Sequence, residues 1–195
     1  MVSKIERIAV VGSGLMGHAI ALDFALGGYE VIMNDKDETS LQLAMEEVRS
    51  DLDRMVQLKM ITPVQVRNAL GKLSYSPDLR EAVADVDFVV EAVFENLDVK
   101  QELFKRLDVA TPERAILASN TSSFMPSQVG ALVKRLDKVM VTHYFNPAHL
   151  IPLVELVRGP ETSDDTINSV RDLYTTIDKT PIVVEKEVIG FIVNR

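Results

Sequence analysis

Two titratable residues, His143 and Glu155, have the types and surroundings of a general base and the carboxylate that orients it. Histidine is the side chain whose ordinary pKa best suits accepting an alcohol proton near neutrality. His143 follows the run 139–142 at the predicted carboxyl end of a strand, which is the edge where open α/β sheets bind ligands. Glu155 interrupts an apolar strand, so it needs a donor partner. A carboxylate on the distal imidazole nitrogen would fix the tautomer of the base.

The same two residues also permit a plainer interpretation. In it, His143 is a structural histidine and Glu155 lies partly exposed on an edge strand. The other histidines have less context: His18 lies on the first turn of a predicted helix, where we expect a solvent-facing or packing role, and His149 lies in a loop without a partner evident from the sequence.

A glycine-rich loop, residues 12–17, has the spacing G-x-G-x-x-G that binds the pyrophosphate of a dinucleotide. It follows the apolar run 8–11, a predicted buried strand, and opens a helix predicted over 15–26. The first glycine can make the sharp turn, the second lets pyrophosphate approach the backbone, and the third lets helix and strand pack closely. A strand, turn and helix without a ligand is the alternative. The loop residues that we expect at the cofactor are Gly12, Gly14, Leu15, Met16 and Gly17.

Asp35 selects the cofactor in this interpretation. It follows the second predicted strand, residues 29–33, and lies 18 residues beyond Gly17. A carboxylate about 20 residues beyond the loop accepts a hydrogen bond from the adenosine ribose. The 2′-phosphate of NADP would be repelled by it, and the nearby Lys36 is adjacent to Asp37. The sequence therefore predicts NAD as the cofactor.

Strand and helix patterns alternate along the chain, which is typical of an α/β fold. After the second strand, an apolar stripe from Leu41 to Met55 and a capped helix from Thr62-Pro63 to Leu70 predict a helical hairpin insertion. Further strands are predicted at 88–90, 115–118, 139–141, 153–157 and 181–184, with helices between them. We predict one Rossmann-type domain over residues 1–195, a mostly parallel sheet with helices on both faces.

The composition limits the class of ligand. The formal net charge of −8 argues against a general nucleic-acid binder, because phosphate backbones require clustered Lys and Arg. The chain has no cysteine, which excludes disulfides and thiolate metal sites, and we expect no metal. No apolar run approaches the about 20 residues of a membrane span, and residues 1–6 lack a signal-peptide core. We expect a cytoplasmic protein with a small-molecule substrate and no membrane partner.

Five segments in order resemble the 3-hydroxyacyl-CoA dehydrogenases, and the resemblance covers essentially the whole chain. They are Gly12 to Gly17, Val90-Glu91-Ala92-Val93-Phe94-Glu95-Asn96, Ser119-Asn120-Thr121-Ser122-Ser123, His143-Tyr144-Phe145-Asn146-Pro147 and Gly190-Phe191-Ile192-Val193-Asn194-Arg195. The resemblance implies an oxidoreductase of fatty acid beta-oxidation that converts an (S)-3-hydroxyacyl-CoA to the 3-ketoacyl-CoA with NAD.

The resemblance also implies catalytic roles. His143 matches the base that takes the proton of the 3-hydroxyl, and Glu155 matches the carboxylate that orients it. Ser122 matches the serine that hydrogen-bonds the reacting oxygen, and Asn194 matches an asparagine near the same site. From the residues alone, Ser122 could be a turn or cap residue and Asn194 a helix cap.

Further matches fall at the nicotinamide half of the cofactor site. They are Glu95, Lys100 and Asn146, together with Ser122. From the sequence alone, Glu95 and Lys100 are equally typical of charges that open a solvated helix.

The acyl carrier is less defined than the chemistry. Residues 148–155 look more like relatives that oxidise non-CoA hydroxy acids, such as lambda-crystallin, L-gulonate 3-dehydrogenase and carnitine dehydrogenase. An NAD-binding module without catalysis is the alternative of another class. The resemblance also implies a C-terminal helical domain that completes the substrate cleft and forms a homodimer. Because the chain ends where that domain begins, we expect the domain to be absent and the 195-residue chain to turn over poorly alone.

Overall fold

One sheet organises the molecule, and the computed structural model describes residues 5–194 of it. The strands are β1 Arg7–Val11, β2 Glu30–Asn34, β3 Leu73–Ser76, β4 Phe88–Glu91, β5 Ile116–Ser119, β6 Val139–Tyr144, β7 Leu153–Arg158 and β8 Thr180–Val184. Within the described residues these eight strands lie in the order β3-β2-β1-β4-β5-β6-β7-β8. The first six are parallel, whereas β7 runs antiparallel to β6 and pairs in parallel with β8. The predicted mostly parallel sheet is confirmed.

Helices connect the strands. They are α1 Leu15–Leu26, α2 Glu38–Gln57, α3 Pro63–Leu70, α4 Leu79–Val83, α5 Leu97–Ala110, α6 Pro126–Val129 and α7 Asp164–Thr176, with a 3₁₀ turn at Leu136–Lys138. Side-chain caps fix several of their starts: Asp37 accepts from two amides of α2, and Thr62 forms a capping box with Gln65 at α3. In the part of the chain that the structure describes, no helix combines the length and apolar content needed to cross a bilayer.

The core lies on both faces of the sheet, as alternation along a buried strand requires. In β1, Ile8 and Val10 belong to one apolar cluster, which includes residues of α1, α2 and α7. Ala9 and Val11 belong to a second cluster, which includes residues of α4 and α5. Both clusters are built of buried aliphatic and aromatic side chains, so the predicted placement of helices on both faces is confirmed.

The strand order reverses direction between β1 and β4, since the chain moves outward to β2 and β3 before it returns to β4. A crevice forms outside the carboxyl ends of the strands at such a point, and ligands of open α/β sheets bind there. The loops that follow β1 and β4 flank this crevice, and the loops after β5 and β6 continue along the same edge. The fold therefore assembles on one edge the loops that carry most of the predicted site residues.

Three short elements were not predicted, namely β3, α4 and α6. β3 consists of Leu-Ser-Tyr-Ser, which has little apolar content, and it forms because β2 offers a free edge for parallel pairing. The predicted pair of helices after β2 is present as α2 and α3, and both contact α1. β6 extends to Tyr144, beyond the predicted run 139–141, so His143 is the penultimate residue of its strand.

Candidate active site

In the glycine loop between β1 and α1, two glycines leave no room for a side chain, whereas the third faces open space. Gly12 has a positive φ of 98°, and a Cβ there would lie 2.6 Å from the carbonyl carbon of Ala92. A Cβ on Gly17 would lie 1.8 Å from the carbonyl oxygen of Gly12. Around Gly14, by contrast, no atom lies within 4 Å of an added Cβ. The loop is therefore packed against β4 and α1, while the residue predicted to meet the pyrophosphate faces open space.

Asp35 is the residue directly after β2, and its side chain is hydrogen-bonded to the glycine loop. Its Oδ2 accepts hydrogen bonds from the backbone amide of Ser13 at 2.9 Å and from the Ser13 hydroxyl at 3.1 Å. Lys36 and Asp37 are exposed, and Asp37 accepts from the first amides of α2. The carboxylate is thus held beside the loop, where the adenosine ribose of a dinucleotide is predicted to lie. The neighbouring residues Leu15 and Met16 form the first turn of α1, with Leu15 67% exposed.

His143 and Glu155 meet across the antiparallel pair β6–β7. They are register partners, and the Nδ1 atom of His143 lies 2.6 Å from Oε2 of Glu155. Both residues are buried, Glu155 completely, so the interpretation of Glu155 as a partly exposed edge residue is wrong. Because a carboxylate accepts hydrogen bonds, Nδ1 carries the proton and Nε2 is left as the nitrogen that can accept one. The rings of Phe145 and Phe191 pack on the imidazole.

Glu155 also holds the C-terminal segment of the described chain. Its second oxygen, Oε1, accepts hydrogen bonds from the amides of Ile192 at 2.8 Å and Val193 at 3.0 Å. Asn194 follows directly, and its own amide donates to the carbonyl of Gly190 at 3.1 Å, which closes a turn. One buried carboxylate therefore contacts both the imidazole of His143 and the backbone beside Asn194.

Ser122 and Asn146 lie in loops at the same edge and are exposed. Ser122 follows β5, and its hydroxyl lies 3.5 Å from that of Ser123. Asn146 lies three residues beyond His143 and is joined to Pro147 by a cis peptide bond. The loop after β5 is tied to β6 because the side chain of Asn120 accepts from the amide of Tyr144 at 2.9 Å. Both predicted contacts to the cofactor are accessible to a ligand and stay predictions.

Lys100 is 1% exposed and lies on α5, with its ammonium between two carboxylates. Its Nζ lies 2.6 Å from Glu91 and 3.0 Å from Glu95. The interpretation of Lys100 as a charge on a solvated helix is therefore wrong, and its predicted effect on the cofactor must act through its partners. Partial burial works to raise the pKa of Glu95, but the hydrogen bond from Thr121 and the Lys100 ammonium outweigh it and lower that pKa. Glu95 is ionised at neutral pH.

Glu91 was not singled out by the sequence, although the signal was present. It interrupts the apolar run Phe-Val-Val of β4 in the same way that Glu155 interrupts β7, and it is completely buried. It accepts hydrogen bonds from Lys100, the amide of Val93 and the hydroxyl of Ser119. A carboxylate within a buried strand marks a built polar site in both places.

The two other histidines cluster around Asp51 on α2. Nε2 of His18 lies 3.5 Å and Nδ1 of His149 3.7 Å from the same Asp51 oxygen, and Nδ1 of His18 lies 2.9 Å from the carbonyl of Gly14. Of the two roles expected for His18, burial agrees with packing and not with a solvent-facing position. Burial lowers the pKa of His149 in spite of the Asp51 carboxylate. Within residues 5–194, no group of three or more histidine and acidic side chains could hold a metal ion.

The arrangement fits a bound dinucleotide and a base. Three groups lie along this edge in the order expected across the crevice. They are the carboxylate of Asp35, the backbone at Gly14 with open space around it, and the imidazole of His143 with one free ring nitrogen. The adenosine half would lie toward β2 and Asp35, and the other half toward β4, β5 and His143. These groups can bind a dinucleotide and accept a proton from an alcohol placed beside it.

Comparison with known proteins places the chain in one family. Residues 7–188 match the model of the 3-hydroxyacyl-CoA dehydrogenase, NAD binding domain. The mitochondrial hydroxyacyl-coenzyme A dehydrogenase of Rattus norvegicus is 38% identical over 196 residues, which cover 98% of this chain and 62% of that protein. The peroxisomal fatty acid beta-oxidation multifunctional protein of Arabidopsis thaliana is 38% identical over 192 residues, which cover 98% of this chain and 26% of that protein.

A solved structure agrees with these matches. The (S)-3-hydroxybutyryl-CoA dehydrogenase of Ralstonia eutropha superposes with a TM-score of 0.94 at 37% identity, covering 98% of this chain and 67% of that one. The chain spans 62% and 26% of the two relatives above, so it corresponds to one part of each. The matched model is an NAD-binding domain, so NAD is the cofactor of this domain. The chain belongs to the 3-hydroxyacyl-CoA dehydrogenase family, as its NAD-binding domain.

Proposed function

We propose that this chain serves an NAD-dependent 3-hydroxyacyl-CoA dehydrogenase, which oxidises an (S)-3-hydroxyacyl-CoA to the 3-ketoacyl-CoA. The observation that carries the proposal is the 2.6 Å contact between His143 and Glu155. A binding module needs no base with its own orienting carboxylate, whereas oxidation of a hydroxyl needs a group that removes the proton. This pair therefore favours an enzyme over a non-catalytic module.

The residues of the chain divide the work of binding and proton transfer. The open backbone at Gly14 and the carboxylate of Asp35 would hold the pyrophosphate and the adenosine ribose. NAD, when bound, supplies the acceptor for the hydride that leaves the alcohol carbon. His143 accepts the hydroxyl proton at Nε2, and the Glu155 carboxylate stabilises the imidazolium that results.

Ser122 and Asn194 are proposed to act on the reacting oxygen. A neutral hydroxyl and an amide can donate hydrogen bonds to developing negative charge without competing for the proton. Ser122 is exposed on the loop after β5, and Asn194 follows two amides that are bonded to Glu155. The contacts of Glu155 support the role of Asn194. One oxygen of Glu155 binds the amides of the two residues before Asn194, and the other binds His143, so one carboxylate connects this segment to the base. Glu95, Asn146 and Ser122 are proposed to line the nicotinamide half.

The setting of the whole protein is also a proposal. The net charge of −8 argues against a nucleic-acid partner, and the family resemblance supports an acyl-CoA substrate. A cytoplasmic location stays a prediction, since the relatives include mitochondrial and peroxisomal proteins. The resemblance supports a homodimer built through a C-terminal helical domain. No observation on the site favours L-gulonate or carnitine over an acyl-CoA.

The test is an assay of NADH formation by the protein in its full natural length. (S)-3-hydroxybutyryl-CoA is compared with L-gulonate and L-carnitine, for wild type and for His143→Ala. We expect oxidation of the CoA substrate and a loss of at least about a hundredfold in the variant, the usual scale for removal of a general base. NADH binding by the variant, followed by fluorescence, controls for folding. Equal turnover of wild type and variant would show that His143 is not the base.

A further inference from the structure

Five residues, Glu91, Lys100, Glu95, Thr121 and Ser119, form a closed ring of polar contacts beside the carboxyl ends of β4 and β5. On the β4 side, Glu91 accepts from the Nζ atom of Lys100 at 2.6 Å. The same ammonium lies 3.0 Å from Oε2 of Glu95. The buried lysine thus joins a carboxylate within the strand to a carboxylate in the loop that follows it.

The β5 side completes the ring. The hydroxyl of Thr121 donates to Oε1 of Glu95, and the Thr121 amide donates to the hydroxyl oxygen of Ser119 at 3.2 Å. The Ser119 hydroxyl donates in turn to Oε2 of Glu91 at 2.5 Å. Every member therefore has two partners within the ring, with Thr121 contributing its hydroxyl to one contact and its backbone amide to the other. The two strand ends are joined by these contacts as well as by their backbone pairing.

Burial and charge indicate that the ring fixes the positions of its members rather than adding stability. Glu91 and Ser119 are 0% exposed and Lys100 and Thr121 1% exposed, whereas the side chain of Glu95 is 40% exposed. Buried ion pairs contribute little net stability, because desolvation offsets their attraction, but they are costly to break. Two carboxylates face one ammonium, and the excess negative charge is therefore closest to water at Glu95.

Ser122 lies in the segment that this ring fixes. The hydroxyl oxygen of Thr121 accepts from the amides of Ser123 and Phe124, both at 3.1 Å. The backbone is therefore bonded on both sides of Ser122, while the Ser122 side chain stays exposed. The exposed carboxylate of Glu95 and the exposed hydroxyl of Ser122 are held in a fixed relation by groups that no ligand can reach.

We propose that Glu91 and Thr121 are positioning residues for the nicotinamide half of the cofactor, acting through Glu95 and Ser122. The inference rests on the proposed function, because it takes those two exposed groups as the contacts with the cofactor. A site whose groups are held in place before binding loses less entropy when the ligand arrives. Lys100 contributes to the cofactor site in the same indirect way.

Two ligands separate this role from simple support of the fold. NADH carries the nicotinamide, whereas ADP-ribose carries only the half that is predicted to contact Asp35 and the glycine loop. Dissociation constants of both are measured for wild type, Thr121→Val, Thr121→Ser and Glu91→Gln. Valine keeps the shape of threonine without its hydroxyl, and serine keeps the hydroxyl without the methyl group. Thr111→Val is the matched control, since Thr111 is also buried and bonds the Leu107 carbonyl at 2.7 Å, outside the ring.

We expect Thr121→Val and Glu91→Gln to raise the dissociation constant of NADH by about tenfold or more, the equivalent of about one lost hydrogen bond. We expect ADP-ribose to bind within about twofold of wild type, and Thr121→Ser to restore most of the NADH affinity. Thr111→Val is expected to lower the melting temperature without changing the ratio of the two constants.

Each contrary outcome has a separate meaning. NADH binding by Thr121→Val that equals wild type would overturn the positioning role, as would equal weakening of both ligands. Wild-type protein that binds neither ligand would instead overturn the proposed function. Retention of affinity by Thr121→Val together with loss by Thr121→Ser would assign Thr121 to packing alone.

Discussion

The imidazole of His143 and the carboxylate of Glu155 face each other as register partners on the antiparallel strands β6 and β7, with Nδ1 and Oε2 2.6 Å apart. Opposed side chains on neighbouring strands lie close enough to pair directly. The contact is buried, and the other Glu155 oxygen binds the amides of Ile192 and Val193. Both oxygens of the Glu155 carboxylate therefore have partners, and substitutions can test the contribution of each oxygen separately.

Glu155→Gln is expected to lower turnover by about a hundredfold to ten-thousandfold. The amide can still accept from Ile192 and Val193, but its NH₂ group would donate to Nδ1 of His143 and leave the proton on Nε2, the wrong nitrogen for a base. The measurement is kcat beside the Kd of NADH, which is expected to stay near wild type. Glu155→Ala, which removes both oxygens, is expected to lower the melting temperature as well. A Gln variant with wild-type kcat would contradict the orienting role.

Gly14→Ala and Gly17→Ala are expected to fail in different ways. A Cβ at Gly14 meets no atom within 4 Å, so the variant folds, and its methyl group occupies the space predicted for pyrophosphate and raises the Kd of NADH about tenfold or more. A Cβ at Gly17 would lie 1.8 Å from the Gly12 carbonyl. Because the atom met is backbone, that overlap costs about 3 kcal/mol of stability or more, which outweighs the gain in helix propensity of about 1 kcal/mol.

Thermal unfolding and NADH titration of the two glycine variants distinguish these effects. A stable Gly14→Ala protein with unchanged NADH affinity would place the pyrophosphate elsewhere. Unchanged stability of Gly17→Ala would mean that α1 shifts away from β1 at little cost.

Asp35→Ala is expected to weaken discrimination against NADPH. The wild-type carboxylate lies beside the loop through its contacts with Ser13, where it would bind the ribose hydroxyls of NAD and repel a 2′-phosphate. We expect the ratio of the NADPH and NADH dissociation constants to fall about tenfold or more. Asp37→Ala is the control, because Asp37 caps α2; it is expected to lower the melting temperature and leave the ratio intact. An unchanged ratio in Asp35→Ala would remove Asp35 from coenzyme selection.

Asp23 is expected to make stability depend on pH. Burial raises the pKa of this α1 carboxyl from 3.8 to about 6, against the opposing effect of Lys179, whose ammonium lies 3.0 Å away. Because the folded-state pKa lies above the unfolded one, the contribution is greatest below pH 3.8 and is lost as the pH rises through about 6. The free energy of unfolding would fall by up to about 3 kcal/mol relative to Asp23→Asn.

Urea unfolding of wild type and Asp23→Asn between pH 4 and pH 8, a range of about two units on either side of the raised pKa, measures this difference directly. Titrating groups that do not contact Asp23 are unaffected by the substitution and cancel in the subtraction. A difference that grows in favour of wild type as the pH rises would show that the Lys179 ion pair outweighs burial.

Local patterns carried much of the fold and part of the site. The bounds predicted for α1 are those observed, since a glycine turn precedes the helix and a glycine pair follows it. Glu155 was recognisable because a carboxylate in an apolar strand requires a partner. β3 was missed because its pairing is supplied by β2 rather than by its own composition, and Glu91 was missed although it carries the same signal as Glu155.

The sequence by itself determined the alternation of strands and helices, the dinucleotide loop with Asp35, and the identity of the histidine with a chemical context. These follow from periodicity, glycine spacing and residue type, all of which are local. Only the tertiary structure decided that β7 runs antiparallel to β6, which places Glu155 opposite His143. It also decided that Lys100 is buried between Glu91 and Glu95 rather than solvated. Strand direction and the partner of a buried charge depend on residues distant in the chain, and no local spacing encodes them.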